Sequence, residues 1–122
     1  MFIPFLVSKI HRAKVTGKNL NYSGSISIDE EIMAKANLRE FQKVEVYNIS
    51  NGNRFATYVI PAERGSKDFI LNGASAHLVS KGDVIIVAAY ALIDEKELNS
   101  LKSVVLLMNG TNEIEKALYG KI

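Results

Sequence analysis

The chain has 122 residues, 48% of them hydrophobic and 23% charged, which fits one globular domain able to bury a core without staples. It holds no cysteine and only two histidines, His11 and His77, which excludes disulfides, thiolate nucleophiles and Cys-based metal sites and argues against any metal centre. Net charge is +2 with both signs interspersed, so the concentrated cations that phosphate binding needs are missing and no nucleic-acid partner is expected. The longest apolar run, Val84 to Ile93, is too short to span a bilayer as a helix, which takes ~20 residues. The apolar start Met1 to Val7 lacks the positive region of a secretory signal, so no membrane association and a cytoplasmic location are expected.

Phe2 to Ile10 and Lys14 to Thr16 read as extended. Ser25 to Ile28 alternates polar and apolar residues as a strand does, then meets Asp29, a good N-cap, and a short helix over Glu30 to Ala36 with acidic residues in its first turn. Ile32, Met33 and Ala36 form the buried stripe of that helix. Val44 to Ile49 alternates as a strand, and Asn51-Gly52 predicts a type I′ hairpin turn, whose two central residues both take positive φ. The return strand is Arg54 to Ile60, ended by Pro61. A polar loop, Glu63 to Asp68, precedes the short strand Phe69 to Leu71. Asn72 to Ala76 is a tight small-residue turn opening a short helix through Val79. Lys81-Gly82-Asp83 turns into the buried strand Val84 to Tyr90, followed by a helical turn at Asp94 to Leu98 and a last strand at Val104 to Met108. Many short strands without a long amphipathic helix predict a mainly β fold, a compact β-barrel.

The dipeptide Gly24-Ser25 carries the sharpest chemical suggestion. Glycine has no Cβ, so its carbonyl can be approached closely by the next residue's hydroxyl. Attack there moves the acyl group from nitrogen to oxygen. β-Elimination of the ester and hydrolysis then leave a pyruvoyl group at position 25, a ketone able to serve as an electron sink. Taken alone, Gly-Ser is an ordinary turn leading into a strand.

The rest of the chain changes that balance. Ser8-Lys9-Ile10-His11-Arg12-Ala13 and Tyr22-Ser23-Gly24-Ser25 are followed by Asn51-Gly52-Asn53-Arg54-Phe55-Ala56-Thr57-Tyr58, Glu63-Arg64-Gly65-Ser66, Asn72-Gly73-Ala74-Ser75-Ala76-His77, Gly82-Asp83-Val84-Ile85-Ile86 and Ala89-Tyr90-Ala91. In order and spacing this set resembles the aspartate 1-decarboxylase family, pyruvoyl enzymes that make β-alanine for pantothenate synthesis. The resemblance covers Ser8 to Met108. It implies a six-stranded double-psi β-barrel with short helices, and self-cleavage into residues 1–24 (β chain) and 25–122 (α chain). It also implies L-aspartate as substrate and a homotetramer with sites between subunits. Whether an accessory protein assists maturation is left open.

Position by position, the resemblance makes Ser25 the precursor of the pyruvoyl group and Gly24 the residue that loses its amide. Tyr58 matches the proton donor, and Thr57 a polar group active in processing and at the substrate. Lys9 and Arg54 match the cations that hold substrate carboxylates, and Asn72, Gly73, Ala74 and Ser75 the turn lining the pocket. Ser75 departs from the expected alanine and adds a hydroxyl. Each residue also has a plain reading: Lys9 and Arg54 as solvated charges, Tyr58 as a packing aromatic, Thr57 as a β-branched strand residue. His11 is either an aid to proton transfer during cleavage or a structural histidine; His77 reads as structural. A regular strand would put Arg54 and Tyr58 on one face and Thr57 on the other. The competing reading is a non-enzymatic β-barrel binding module, of the DNA-binding swapped-hairpin type.

Overall fold

The computed structural model describes residues 1–120. Nine strands and three short helices follow in the order β1 (Phe2–Lys14), β2 (Gly17–Asn19), β3 (Ile26–Asp29), α1 (Glu30–Lys35), β4 (Lys43–Asn48), β5 (Arg54–Ala62), β6 (Phe69–Asn72), a 3-10 helix (Gly73–Leu78), β7 (Val84–Asp94), a 3-10 turn (Glu95–Glu97), β8 (Val104–Met108) and β9 (Ile114–Tyr119). The mainly β reading with short helices holds. The strands are ordered β2-β6-β3-β5-β4-β7-β1-β8-β9. Apolar residues from across this order, among them Ile10, Ile26, Val46, Val59, Phe69, Leu71, Val87 and Leu106, share one buried cluster. The sheet therefore curls around a single core. Val15 and Thr16 stitch it further: Val15 N–H donates to Asp83 O at 2.9 Å and Thr16 N–H to Phe69 O at 2.9 Å, tying the approach to β7 to β6.

Strand β1 is one continuous element where the sequence suggests two. Its ladder with β7 slips between Leu6 and Ser8 and again between His11 and Ala13, and Arg12 takes φ +67° at the second irregularity. Bulges bend a strand and interrupt its alternation, which hides the continuity from a periodicity argument. The hairpin at Asn51-Gly52 is present but not as a type I′ turn. Only Gly52 has positive φ, at +81°, and the strands close through Asn48 N–H to Asn53 O at 2.8 Å, leaving a longer loop. Pro61 does not end β5, which runs to Ala62. Pairing of β5 with β4 stops at Tyr58, so the missing proline N–H points to the side that β4 has vacated. Strands β2 and β9 have no counterpart in the sequence reading.

The helix α1 forms as its residues dictate. Asp29 Oδ1 accepts from Glu31 N–H at 2.8 Å, and Ile32, Met33 and Ala36 are buried. Asn37 at φ +56° closes the helix, with Leu38 N–H donating to Met33 O and Asn37 N–H to Ala34 O, a Schellman ending. Asp29 also accepts from Gly65 N–H at 3.0 Å and Lys67 N–H at 2.8 Å, so one carboxylate pins the polar loop between β5 and β6 against the end of β3. Burial works to raise the Asp29 pKa, but the N–H groups of Gly65, Lys67, Glu31 and Ile32 outweigh it and hold the carboxyl below its ordinary range.

Candidate functional site

Register builds the site. Strand β5 changes partner midway: Tyr58 is the last residue paired with β4, opposite Lys43, and Val59 is the first paired with β3, opposite Ile26. On its other side, Ile26 pairs with Leu71 of β6. The two residues before Ile26 are Gly24 and Ser25, so both ladders deliver that dipeptide between Tyr58 of β5 and Asn72-Gly73 at the end of β6.

Asn72 N–H donates to Ser25 O at 2.9 Å, and the Asn72 side-chain amide donates to Ser25 Oγ and to Ser27 Oγ, each at 2.9 Å. Asn72 is fully buried and its Oδ1 has no hydrogen-bond partner. Ser25 is buried as well. Gly24 stands at φ +130° and Ser25 at φ +96°, a region that L side chains rarely enter. A non-glycine residue held there stores about 1–3 kcal/mol of strain. The peptide joining residues 24 and 25 thus sits between two such conformations, with the serine oxygen fixed by an amide donor.

Gly73 lets the backbones approach. It has φ +67°, and a Cβ there would stand 2.7 Å from Gly24 N, 2.8 Å from Gly24 Cα and 2.8 Å from Tyr22 O. Tyr58 lies on the opposite flank, where a Cβ on Gly24 would meet its Oη at 3.6 Å. The Tyr58 ring tilts against Phe41, with centroids 6.2 Å apart, and stays partly open to solvent. Ser75 does not crowd this cluster with its extra hydroxyl: Ser75 Oγ donates back to Asn72 O at 3.0 Å within its own turn. Ala74 is exposed beside it.

The remaining expected residues lie elsewhere on the chain. Thr57 is half-buried and, in an unbroken β5 register, faces away from Tyr58. Arg54 shares the Tyr58 face but begins the strand, roughly 13 Å along it by strand rise. Its guanidinium carbon stacks 4.0 Å from the centre of the Tyr47 ring, and Tyr47 Oη is 3.0 Å from Tyr90 Oη. Lys9 sits on β1 between Ala88 of β7 and Val105 of β8 and lines a cavity of about 740 Å³ with His11 and mainly apolar neighbours. His11 Nδ1 is buried there without a partner; burial, then Lys9 and Arg12, push its pKa down. No contact joins His11 to the Gly24-Ser25 pair among the described hydrogen bonds. Ser27, Tyr47 and Tyr90 were not among the residues expected at the site. The alternation Ser25-Ile26-Ser27-Ile28 is the signal that puts Ser27 beside Ser25 on one face.

A family model described as aspartate decarboxylase matches residues 1–115. The chain belongs to the aspartate decarboxylase family. It is 57% identical over 118 residues to the aspartate 1-decarboxylase of Sulfurimonas denitrificans, covering 97% of this chain and 98% of that one. The aspartate 1-decarboxylase of Sulfurihydrogenibium sp. is 52% identical over 95% of this chain and 87% of its own. That of Aliarcobacter butzleri is 55% identical over 94% and 91%. Membership extends from the first strand to β9, so every residue of the Gly24-Ser25 cluster lies inside the matched region. Among the described residues no helix is long and apolar enough to cross a membrane, and no group of three or more His, Asp or Glu is placed to hold a metal ion.

Proposed function

We propose that this chain is an aspartate 1-decarboxylase that converts L-aspartate to β-alanine and carbon dioxide for pantothenate and coenzyme A synthesis, using a pyruvoyl group made from its own Ser25. The observation that carries the reading is the strained, buried Ser25, its Oγ held by Asn72 next to the Gly24 carbonyl carbon's peptide. The donor set suits such a group. Asn72 Nδ2 already serves an oxygen at position 25, and Gly73 packs on Gly24 without a side chain between them, leaving Tyr58 on the other flank.

Self-processing follows from these contacts. Ser25 Oγ attacks the Gly24 carbonyl, forming an ester as the peptide C–N bond breaks. Elimination releases the Gly24 carboxylate, and water takes the place of the nitrogen, which leaves as ammonia. The products are residues 1–24 and 25–122. Release of the positive φ at Ser25 favours this direction. When present, the pyruvoyl group supplies the ketone that captures the substrate amine and the sink for the electron pair left by carbon dioxide.

The chain's own side chains then divide the work. Arg54 offers a planar fork suited to the side-chain carboxylate, and Lys9 a second, more flexible cation. Tyr58 carries the phenolic O–H that returns a proton to the substrate carbon. Thr57 assists processing, and Asn72, Gly73, Ala74 and Ser75 form the wall against which the substrate rests. In this reading a neighbouring copy helps to bring Lys9 of β1 and Arg54, at the far end of β5 from Tyr58, to Ser25, in a cytoplasmic homotetramer with sites between subunits. Phe2, Phe41, Leu92 and Tyr119 expose apolar surface for such contacts.

Intact mass measurement tests the reading. Wild-type protein resolves into residues 1–24 and 25–122 on warming and releases carbon dioxide from aspartate, whereas Ser25→Ala stays whole and inactive. A wild-type chain that remains full-length after prolonged warming overturns it.

A further inference from the structure

Arg54 begins β5 directly opposite Tyr47 of β4, an exposed cation at the rim of the sheet. An isolated exposed arginine samples many rotamers and meets a carboxylate in no fixed direction. This one does not stand alone. Its guanidinium lies over the Tyr47 ring at 4.0 Å, and the Tyr47 hydroxyl is tied at 3.0 Å to that of Tyr90, carried by β7. Three strands thus contribute to one stack. Lys43, Glu45 and Arg54 stand on this face, with Lys9 and His11 of β1 in the same register rows, and Lys43 and Glu45 wall a cavity of about 450 Å³ together with the two tyrosines.

We propose that Tyr90 is a positioning residue for substrate binding: by pairing its hydroxyl with that of Tyr47, it locks the ring on which the Arg54 guanidinium rests and so fixes the direction in which that cation meets the substrate carboxylate. The inference rests on the reading of Arg54 as a carboxylate holder. Two neutral hydroxyls hold two protons; one bridges the pair and the other remains to be donated outward. Tyr47 keeps its proton at neutral pH, because burial first and then the bond to Tyr90 push its phenol up to about 12. The Tyr90 hydroxyl is not needed for the core, since Tyr90 is 46% exposed, so removing it leaves the fold intact.

The experiment compares processed wild-type enzyme with Tyr90→Phe, Tyr47→Phe and the double variant. Each single variant is expected to raise the KM for aspartate about threefold, the scale of one exposed cation–π contact, with kcat and the extent of self-cleavage unchanged. The double variant should match the singles, because both act on the same lock. Independently of activity, Arg54 in nitrogen-15-labelled protein should show a ring-current shift of its Nε–H signal that Tyr90→Phe abolishes. An unchanged KM, additive effects in the double variant, a fall in kcat at constant KM, or an Arg54 signal unmoved by Tyr90→Phe overturns the proposal. Should the wild type release no carbon dioxide from aspartate, the parent reading fails, and the Arg54 signal alone decides for or against the lock.

Discussion

Gly73 illustrates how a single residue sets the site. Its place in Asn72-Gly73 marks a turn in the sequence, but only the fold reveals that Gly24 and Tyr22 press on the space a Cβ would fill. The obstructing atoms are backbone, so they cannot rotate away. Gly73→Ala should therefore cost about 2–3 kcal/mol, from overpacking together with a positive φ that alanine resists, and slow or stop cleavage. A thermal melt with intact mass measurement of the same preparation checks both parts. Tyr58→Phe keeps the ring against Phe41 and removes only the hydroxyl. It should spare cleavage and lower kcat by 10²-fold or more, the ordinary scale for a lost general acid, as single-turnover carbon dioxide release would record. Ser75 gives the opposite lesson: its hydroxyl, conspicuous in the sequence, is spent on Asn72 O inside its own turn.

Among the elements, β3 and its flanks do the organising, and Asp29 is the fastening. One carboxylate caps α1 and accepts from two N–H groups of the following loop, three hydrogen bonds of which Asn could keep only those to a single acceptor oxygen. Asp29→Asn is expected to lower stability by about 1.5–3 kcal/mol near neutrality. Because the folded carboxyl is held below its unfolded value, the stabilisation is complete above ~4 and is lost as pH falls through the folded value. Melting temperatures of the two proteins at neutral pH and at about pH 2 should accordingly differ and then converge. The cap, the acidic first turn and the stripe of Ile32, Met33 and Ala36 were legible in the sequence because they obey local rules. Strands β2 and β9 were not. Gly17-Lys18-Asn19 is too short and polar to alternate, and it becomes a strand only because β6 lies alongside. Ile114 to Tyr119 has charged outward residues and owes its extended form to β8.

Across the whole molecule, cleavage after residue 24 would free a piece that carries all of β1. That strand lies between β7 and β8, paired on both sides, and contributes Ile10 and Ala13 to the core. The two products should therefore remain one particle without any disulfide, separating in strong denaturant but not in native mass spectrometry. The placement of Lys9 on β1, four strands from β3 in the sheet order, yields a second whole-molecule expectation. If the site is shared between copies, inactive Lys9→Ala and inactive Tyr58→Phe chains, co-expressed and co-assembled, should regain part of the wild-type rate. Mixed assemblies with no recovered activity would return both residues to one chain.

From its sequence alone this protein disclosed its mainly β character, its short capped helix and the family to which it belongs, and Gly24-Ser25 stood out as the dipeptide to test. All of these are written in residue types and short spacings, where steric rules and hydrogen-bonding capacity act between near neighbours. What the tertiary structure decided was adjacency. The change of partner along β5 brings Gly24-Ser25 between Tyr58 and Asn72-Gly73, and the β4–β5–β7 stack of Arg54, Tyr47 and Tyr90 joins residues far apart in the chain. Strand register is fixed by the burial of whole faces around a common core, a collective property that no local run of residues contains.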